Sequence, residues 1–408
     1  MIAQAGKSVL YGKRVLLGVS GGIAAYKVID LVRQLRKYGA RVDVLMTESA
    51  EKFVTPLTFE TLTRQPVRRG VFEQWTEAEA GHVTLAEQAD IMVIAPATAN
   101  TIAKLAHGLA DDMLTVSALA CPAPMLLAPA MDHYMYLNQA TQDNLETLTN
   151  RGFHIIGPEE GELASGIVGH GRLAAPESIA GRIRVILGAD GPLKGRRVVV
   201  SAGATREPLD PIRYISNRSS GRMGYAIAQA LIDAGAHTTL VSAPSDQPVP
   251  IGVDLLSVES AGEMHQAVLE GTRDAHGLIM SAAVGDYAPR EVSQEKVKKT
   301  EDDLSIKLAR TVDILASINR PGLVKIGFAA ETANLIEYAT RKLTSKGVHL
   351  LVANDARKAM GASDNQAFFF RPDREPEELP LLSKDDLAIR IVEELTAIFG
   401  ESGPSAES

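Results

Sequence analysis

The sequence predicts an α/β protein of two doubly wound domains, each a parallel sheet covered by helices on both faces. Apolar runs rich in β-branched residues alternate with segments of helical periodicity. In a sheet with one solvent-exposed face, apolar and polar residues alternate along each strand. The apolar runs here lack that alternation, and its absence predicts strands that are buried on both faces. The alternation then restarts near residue 190, and 408 residues suffice for two domains of about 200 residues each.

The first half opens with the apolar run 13–20, KRVLLGVS, which predicts a strand leading into the loop Ser20–Gly22. A helix is predicted next because Ala25, Val28, Val32 and Leu35 recur at helical spacing before Gly39. Further strands are predicted at 41–47, 90–98, 124–131 and 153–156, and further helices near 98–107, 111–120 and 138–150.

The second half follows the segment LGADGPLKG and repeats this order. The predicted strands are 196–205, 237–242, 277–283, 323–329 and 348–353, and the predicted helices lie near 222–234, 261–271, 333–346 and 383–399. We therefore place one domain at 1–189 and a second at 190–400, and we expect the polar tail 401–408 to be disordered.

Composition excludes several classes of protein. The sequence has no apolar run of eighteen residues and no signal-peptide pattern at its start, so a cytoplasmic location and no membrane partner are expected. The single cysteine, Cys121, excludes an internal disulfide and a cysteine-based metal cluster. A net charge of −8 argues against nucleic acid as a partner.

Polar and glycine residues cluster after the predicted strands, where open α/β sheets bind ligands. In the first half these are the loop Ser20–Gly22 and the side chains of Thr98, Asn100 and Thr101. From the residues alone, the glycine loop is equally consistent with phosphate binding and with a tight turn. His82, after a glycine, is the best candidate base in this half, although a structural histidine is the commoner case.

Six segments carry a resemblance to a known family: GVSGGIAAYK, TPLTFETLT, GHVTLAEQAD, APATANTIAK, PAMDHYMY and SAGATREPLDPIRYISNRSSGRMG. Over about residues 8–400 the chain resembles the bifunctional proteins of coenzyme A biosynthesis, in which phosphopantothenoylcysteine decarboxylase is joined to phosphopantothenate–cysteine ligase. The resemblance implies a flavodoxin-like or Rossmann-like FMN domain followed by a Rossmann-like, nucleotide-binding ligase domain.

For the first domain, the resemblance implies FMN bound by Ser20, Gly21, Gly22, Thr47, Thr98, Asn100 and Thr101. FMN would oxidise the substrate thiol so that carbon dioxide can leave, and His82 would act as a base or orient the substrate. The chain departs from the family twice, with Asp132 where asparagine is usual and Ser165 where a proton-donating cysteine is usual. Because serine is a much weaker acid than cysteine, another proton donor is needed, and His170 in the same glycine-rich flap is the nearest candidate, although an exposed loop histidine without a catalytic role is the commoner case.

For the second domain, the resemblance implies a ligase that uses CTP and Mg²⁺ and forms an acyl-cytidylate. Asn217 would contact the acyl-cytidylate, and Lys296 would bind nucleotide and assist the reaction. The other expected nucleotide-binding residues are Ser219, Ser220, Gly221, Asp286, Asp313, Phe328, Lys342 and Lys346. Mg²⁺ is expected mainly on the nucleotide phosphates, and Thr311 and Val312 depart from the family pattern around Asp313.

Two alternatives stay open at this point. Asp132 and Ser165 are compatible with a ligase whose first domain is a flavin-binding scaffold with weak decarboxylase chemistry. The other alternative is a nucleotide-binding regulatory protein without catalysis. The resemblance also implies a homo-oligomer with trimeric flavin domains and dimeric ligase domains, and the choice between CTP and ATP does not follow from the residues.

Overall fold

The computed structural model of the chain describes residues 8–71, 81–299, 304–331, 335–355 and 364–401. The chain forms two compact units, Ser8–Leu187 and a second one that continues from Gly188. Of the tail 401–408, all but Glu401 lie outside the described residues, and Glu401 is the last residue of a helix.

The first unit is built on a parallel sheet with strand order β2-β1-β3-β4-β5. The strands are β1 Arg14–Val19, β2 Arg41–Met46, β3 Ile91–Ala97, β4 Met125–Pro129 and β5 His154–Ile155. This order is that of flavodoxin-like sheets, and it confirms the predicted fold class.

Helices cover both faces of this sheet. They are α1 Val28–Lys37, α2 Glu48–Glu51, α3 Pro56–Thr63, α4 Gly81–Glu87, α5 Ala99–His107, α6 Met113–Ala120, α7 His133–Leu137, α8 Gln139–Asn150 and α9 Pro176–Gly188. Neighbouring residues of β1 alternate between the two resulting cores: Val15 packs in the cluster with α1, and Leu16 in the cluster with α5 and α6. The strands read as continuous apolar runs because both faces are covered.

An antiparallel hairpin follows the sheet. Its strands are β6 Glu159–Glu162 and β7 Val168–Arg172, and the turn between them holds Ser165. Periodicity did not predict this hairpin, because its strands are short and rich in glycine and glutamate.

The second unit has an eight-stranded sheet with the order β12-β11-β8-β13-β16-β17-β19-β20. These strands are β8 Arg197–Ala202, β11 His237–Ser242, β12 Asp254–Ser257, β13 Gly277–Met280, β16 Val324–Glu331, β17 Leu350–Asp355, β19 Ala367–Phe370 and β20 Glu377–Glu378. Pairing is parallel up to β17, whereas β19 and β20 form an antiparallel edge that was not predicted.

The remaining elements of the second unit surround this sheet. The helices are α10 Arg222–Asp233, α11 Ala261–Gly271, α12 Ile314–Ser317, α13 Leu335–Lys346 and α14 Lys384–Glu401. Three short antiparallel pairs are β9 Arg206–Pro208 with β10 Tyr214–Ser216, β14 Tyr287–Pro289 with β15 Leu308–Arg310, and β18 Asp364–Asn365 with β21 Leu382–Ser383. In β8, Val198 and Val200 pack toward α10 and α14, and Val199 packs on the opposite face with α11.

Among the described residues, no helix is both long enough and apolar enough to cross a membrane.

Candidate functional sites

A cleft of about 1320 Å³ opens at the carboxyl ends of the strands of the first unit. Most residues predicted to bind FMN line it, namely Gly21, Gly22, Thr47, Thr98, Asn100 and Thr101. Asp132 and Ser165 line it as well. Ser20 lies beneath the residues that line the cleft, with 1% of its surface exposed.

Ser20 joins the two loops that form the wall of the cleft. Its hydroxyl donates to the carbonyl of Pro96 at 2.7 Å and accepts from the backbone N–H of Thr98 at 3.0 Å. The loop after β1 and the loop after β3 are therefore held together by a single buried side chain. A hydroxyl can do this because it both donates and accepts.

Gly21 is required by a close approach of backbone. A Cβ added at Gly21 would lie 2.2 Å from Cβ of Ser49 and 2.8 Å from its carbonyl carbon. A Cβ at Gly22 would meet only Cγ2 of Thr98, at 3.4 Å. Of the two glycines, Gly21 is the one whose replacement must displace backbone.

Two helices begin at the cleft. Thr98 caps α5 by accepting from the backbone N–H of Thr101 at 3.4 Å, and the two threonine hydroxyls lie 3.1 Å apart. Thr47 caps the single turn α2 through the N–H of Ala50. The amino terminus of α5 gives this wall a partial positive charge, which favours an anionic ligand group.

Asp132 and Ser165, the two departures from the family pattern, contact each other. The Ser165 hydroxyl donates to Oδ2 of Asp132 at 2.6 Å, and the backbone N–H of Tyr134 donates to Oδ1 at 3.1 Å. These bonds, led by the one from Ser165, hold the pKa of Asp132 below its usual value. Asp132 is therefore ionised at neutral pH and fastens the turn of the hairpin to the wall of the cleft.

The two predicted histidines are placed differently. His170 lies on β7 outside the lining of the cleft, with its ring centroid 6.4 Å from those of His133 and Tyr136. His82 belongs to the first turn of α4, but its side chain lies outside the described residues. The roles assigned to both stay predictions.

Sequence reasoning missed three cations of the cleft. Lys27, Lys104 and Arg172 line it. Burial, and then the charge of Arg172, lowers the pKa of Lys27. Lys104 pairs with Asp111 at 2.7 Å and Asp112 at 3.0 Å, and the bond to Asp111 is the main reason that its pKa is raised.

The second unit contains a cavity of about 560 Å³ at the corresponding edge of its sheet. It brings together five predicted nucleotide-binding residues from four separate segments of the chain: Asp286, Asp313, Phe328, and the pair Lys342 and Lys346. Tyr287 and Arg310, from the arm β14–β15, also line it and were not predicted.

Asp313 and Lys346 form an ion pair in this cavity. Asp313 also caps α12 by accepting from the backbone N–H of Ala316 at 3.1 Å. The hydroxyl of Thr311, one of the departures from the family pattern, donates to the carbonyl of Gly285 at 2.6 Å. Thr311 therefore ties the segment before α12 to the loop that carries Asp286.

Asn217 lies beside this cavity and precedes the serine–glycine loop. The amide of Asn217 donates to the carbonyls of Ala283 at 3.2 Å and Val284 at 3.1 Å, and Val284 lines the cavity. The predicted residues Ser219, Ser220 and Gly221 follow directly, and Gly221 precedes α10 with φ of +76°. That left-handed conformation explains the glycine.

Lys296 does not line the cavity. The next residue, Val297, is hydrogen-bonded to a buried carboxylate. Asp210, at 3% exposure, accepts from the backbone N–H of Val297 at 3.2 Å and from Arg213 at 2.6 Å. Arg213 in turn donates to the carbonyl of Val297 at 2.8 Å. Asp210 was missed as a supporting residue because its partner lies 87 residues away. Its pKa is strongly lowered, first by the bond from Arg213.

Comparisons with known proteins cover both units. A family model described as Flavoprotein matches residues 5–186, and one described as DNA/pantothenate metabolism flavoprotein C-terminal domain matches residues 193–398. The coenzyme A biosynthesis bifunctional protein CoaBC of Vibrio vulnificus is 43% identical over 401 residues, which are 96% of this chain and 99% of that protein. The protein of the same name from Escherichia coli K12 is 42% identical over 402 residues, 96% of this chain and 98% of that protein.

A solved structure of the C-terminal domain of CoaBC is also similar. It has 39% sequence identity and a TM-score of 0.46, covering 52% of this chain and 100% of that one. The matches to full-length relatives extend over both units. The chain belongs to the family of the coenzyme A biosynthesis bifunctional proteins.

Proposed function

We propose that this protein performs two consecutive steps of coenzyme A biosynthesis, one in each unit. The second unit couples 4'-phosphopantothenate to L-cysteine with CTP, and the first unit decarboxylates the product, 4'-phosphopantothenoylcysteine, to 4'-phosphopantetheine. The observation that carries the proposal is the match to CoaBC relatives over 96% of the chain. Each matched half also has its own cavity at the carboxyl edge of its sheet.

The cleft of the first unit suits FMN. Gly21 leaves the backbone bare where a Cβ would collide with Ser49, and α5 directs its amino terminus at the cleft. We assign the FMN contacts to Gly21, Gly22, Thr47, Thr98, Asn100 and Thr101, with Ser20 holding their loops in place. Bound FMN supplies reversible oxidation of the substrate thiol, which makes loss of carbon dioxide easy.

The chain's own groups bind the substrate and move protons. Lys27 and Arg172 supply positive charge for the phosphate or the carboxylate of the substrate. Ser165 holds the hairpin to the wall through Asp132. His82 is assigned a role as base or in orienting the substrate by resemblance, and His170 is assigned proton donation because it lies in the same hairpin as Ser165.

In the second unit, the cavity supplies cations for a polyphosphate and neutral donors near the reacting carboxyl group. Lys342 and Lys346 are the proposed phosphate ligands, Phe328 the wall for the base, and Asn217 the donor to the acyl-nucleotide. Among the described residues, no group of three or more His, Cys, Asp or Glu side chains could hold a metal ion. Because Mg²⁺ in nucleotide-dependent enzymes usually binds through substrate phosphates and one or two carboxylates, we propose that it is held mainly by the nucleotide phosphates here.

One assay tests both halves. The full chain is incubated with 4'-phosphopantothenate, cysteine, CTP and Mg²⁺, and the products are identified by mass. Formation of 4'-phosphopantetheine with release of carbon dioxide is expected. Parallel reactions with ATP decide the nucleotide. Absence of both products from flavin-loaded protein would contradict the proposal.

A ligase with a weakened flavin domain is the second candidate, and the contact between Asp132 and Ser165 favours it. An ionised Asp132 repels a substrate carboxylate, and Ser165 is a poor acid. In that case the assay stops at 4'-phosphopantothenoylcysteine. The trimeric flavin domains, the dimeric ligase domains and the cytoplasmic location stay predictions.

A further inference from the structure

Lys325 is a buried lysine in β16 of the second unit, with 6% of its surface exposed. Its ammonium donates to three main-chain carbonyls: that of Lys346 at 2.9 Å, of Ile318 at 3.1 Å and, more weakly, of Leu315 at 3.4 Å. Burial lowers its pKa. A charge is costly to bury without partners, so the three carbonyls account for its retention in this position.

The three carbonyls belong to the ends of two helices. Leu315 lies in the single turn α12 and Ile318 directly follows it, while Lys346 is the last residue of α13. Carbonyls at helix ends lack partners within the helix and form the negative end of its dipole. One ammonium therefore joins the carboxyl ends of α12 and α13.

The same two helices meet a second time at the nucleotide cavity. The Lys346 side chain pairs with Asp313, and Asp313 caps α12. The contacts form a closed ring that runs from Lys325 to the backbone of Lys346, through its side chain to Asp313, and along α12 back to Lys325. Asp313 and Lys346 line the cavity, whereas Lys325 does not.

We propose that Lys325 is a positioning residue for nucleotide binding, acting through Lys346. A polyphosphate competes with Asp313 for the Lys346 ammonium. Once that pair opens, the bond from Lys325 to the Lys346 carbonyl still holds the end of α13 at the cavity. This inference rests on the proposed function of the second unit as a nucleotide-dependent ligase.

The test compares Lys325→Met, Lys346→Met and the double variant in the full chain. Lys325→Met keeps an unbranched side chain as far as the ε position and removes the ammonium. We expect it to raise the KM and the Kd for the nucleotide about tenfold while kcat and the KM for cysteine change little. In the Lys346→Met background the same change should add less than about twofold, because the two lysines act in one ring.

Three further variants complete the test. Lys194→Met removes an exposed lysine that pairs with Asp190 at the surface, and it should leave all constants unchanged. Lys325→Arg keeps the positive charge and should restore part of the nucleotide affinity. If Lys325→Met fails to fold, Lys325→Gln keeps a donor and should still raise the nucleotide KM.

The outcomes separate this inference from the proposed function. If the unsubstituted protein neither binds CTP nor forms the coupled product, the proposed function fails. The inference alone fails if the unsubstituted protein is active but the effects of the two methionine variants multiply. It also fails if Lys325→Met lowers kcat and raises all KM values together, as a general loss of structure would.

Discussion

At the scale of single residues, Asn217 has the most directly testable role. Its amide donates to the carbonyls of Ala283 and Val284 beside the cavity. Asn217→Asp replaces the donor with a negative charge facing two carbonyls and a developing anion. We expect ligase turnover to fall by about 100-fold or more, the typical loss for one such donor.

Pyrophosphate release measures this effect, and Asn319→Asp is the matched control. Asn319 is exposed in the same unit and donates to the carbonyl of Ala316 at 3.3 Å. Unchanged turnover in Asn217→Asp would remove this residue from the mechanism.

The proton donor of the decarboxylase is the second question at this scale. The Ser165 hydroxyl donates a hydrogen bond to Asp132, and this ionised carboxylate has no proton to pass on to the serine. His170 lies five residues along the same hairpin. We expect His170→Asn to release carbon dioxide but to accumulate the oxidised aminoethenethiol product, and Ser165→Ala to leave the ratio of saturated to oxidised product unchanged.

Mass analysis of the products checks this prediction. Restoring a thiol with Ser165→Cys in the His170→Asn background should recover the saturated product. His107→Asn, at the exposed end of α5, serves as the control. Saturated product formed at the parental rate by His170→Asn would point instead to Ser165, which lines the cleft.

At the scale of elements, the loop between β1 and α1 depends on the missing Cβ of Gly21. Gly21→Ala must displace the backbone at Ser49, since the new Cβ would lie 2.2 Å from Cβ of that residue. We expect loss of flavin binding, measured by absorbance of the purified protein after reconstitution. Gly22→Ala, with a nearest contact of 3.4 Å, should weaken binding less, and the reverse order would contradict this account of the loop.

Two histidines of the second unit, each directly before a strand, make the same pair of hydrogen bonds to a neighbouring strand. The ring Nδ1 of His276 accepts from the backbone N–H of Arg197 at 3.0 Å, and the backbone N–H of His276 donates to the Arg197 carbonyl at 2.7 Å. His349 does the same with Lys325, at 3.1 Å and 2.8 Å. Both rings must be neutral to accept, and burial first, then nearby cations, lowers the pKa of each.

Because the folded pKa lies below the usual value of about 6.5, the unfolded chain binds these protons more readily. The two neutral histidines stabilise the folded state fully at a pH above the unfolded pKa of about 6.5. This stabilisation is lost as the pH falls through their lower pKa values in the folded state. We expect the urea midpoint of the second unit to fall from pH 7.5 toward pH 5, by less in a His276→Gln, His349→Gln variant. An equal fall in that variant would assign the loss to other groups.

At the scale of the whole molecule, the chain has two units with separate hydrophobic cores and separate candidate sites. A ligand stabilises the unit that binds it, by about 2.7 kcal/mol at a concentration 100 times its Kd. In calorimetry, FMN should raise the transition of the first unit, and CTP with Mg²⁺ that of the second. Equal shifts of both transitions with either ligand would contradict this assignment.

The sequence by itself determined the two-part α/β architecture, because buried strands and amphipathic helices leave local patterns. The predicted segment 90–98 is β3 Ile91–Ala97, and the predicted helix near 222–234 is α10 Arg222–Asp233. The sequence also predicted the two glycine loops, Ser20–Gly22 and Ser219–Gly221. They follow strands directly, and the resemblance then identified the expected ligand of each.

Only the tertiary structure decided which side chains act together. Ser165 and Asp132 are 33 residues apart, and Asp210 and Val297 are 87 apart, so no local pattern indicates either contact. Lys325 reads as one polar residue within an apolar strand, and its role depends on the ends of two helices that converge on it. Such contacts arise when the chain brings distant polar groups into a low-dielectric interior, where each must find a partner.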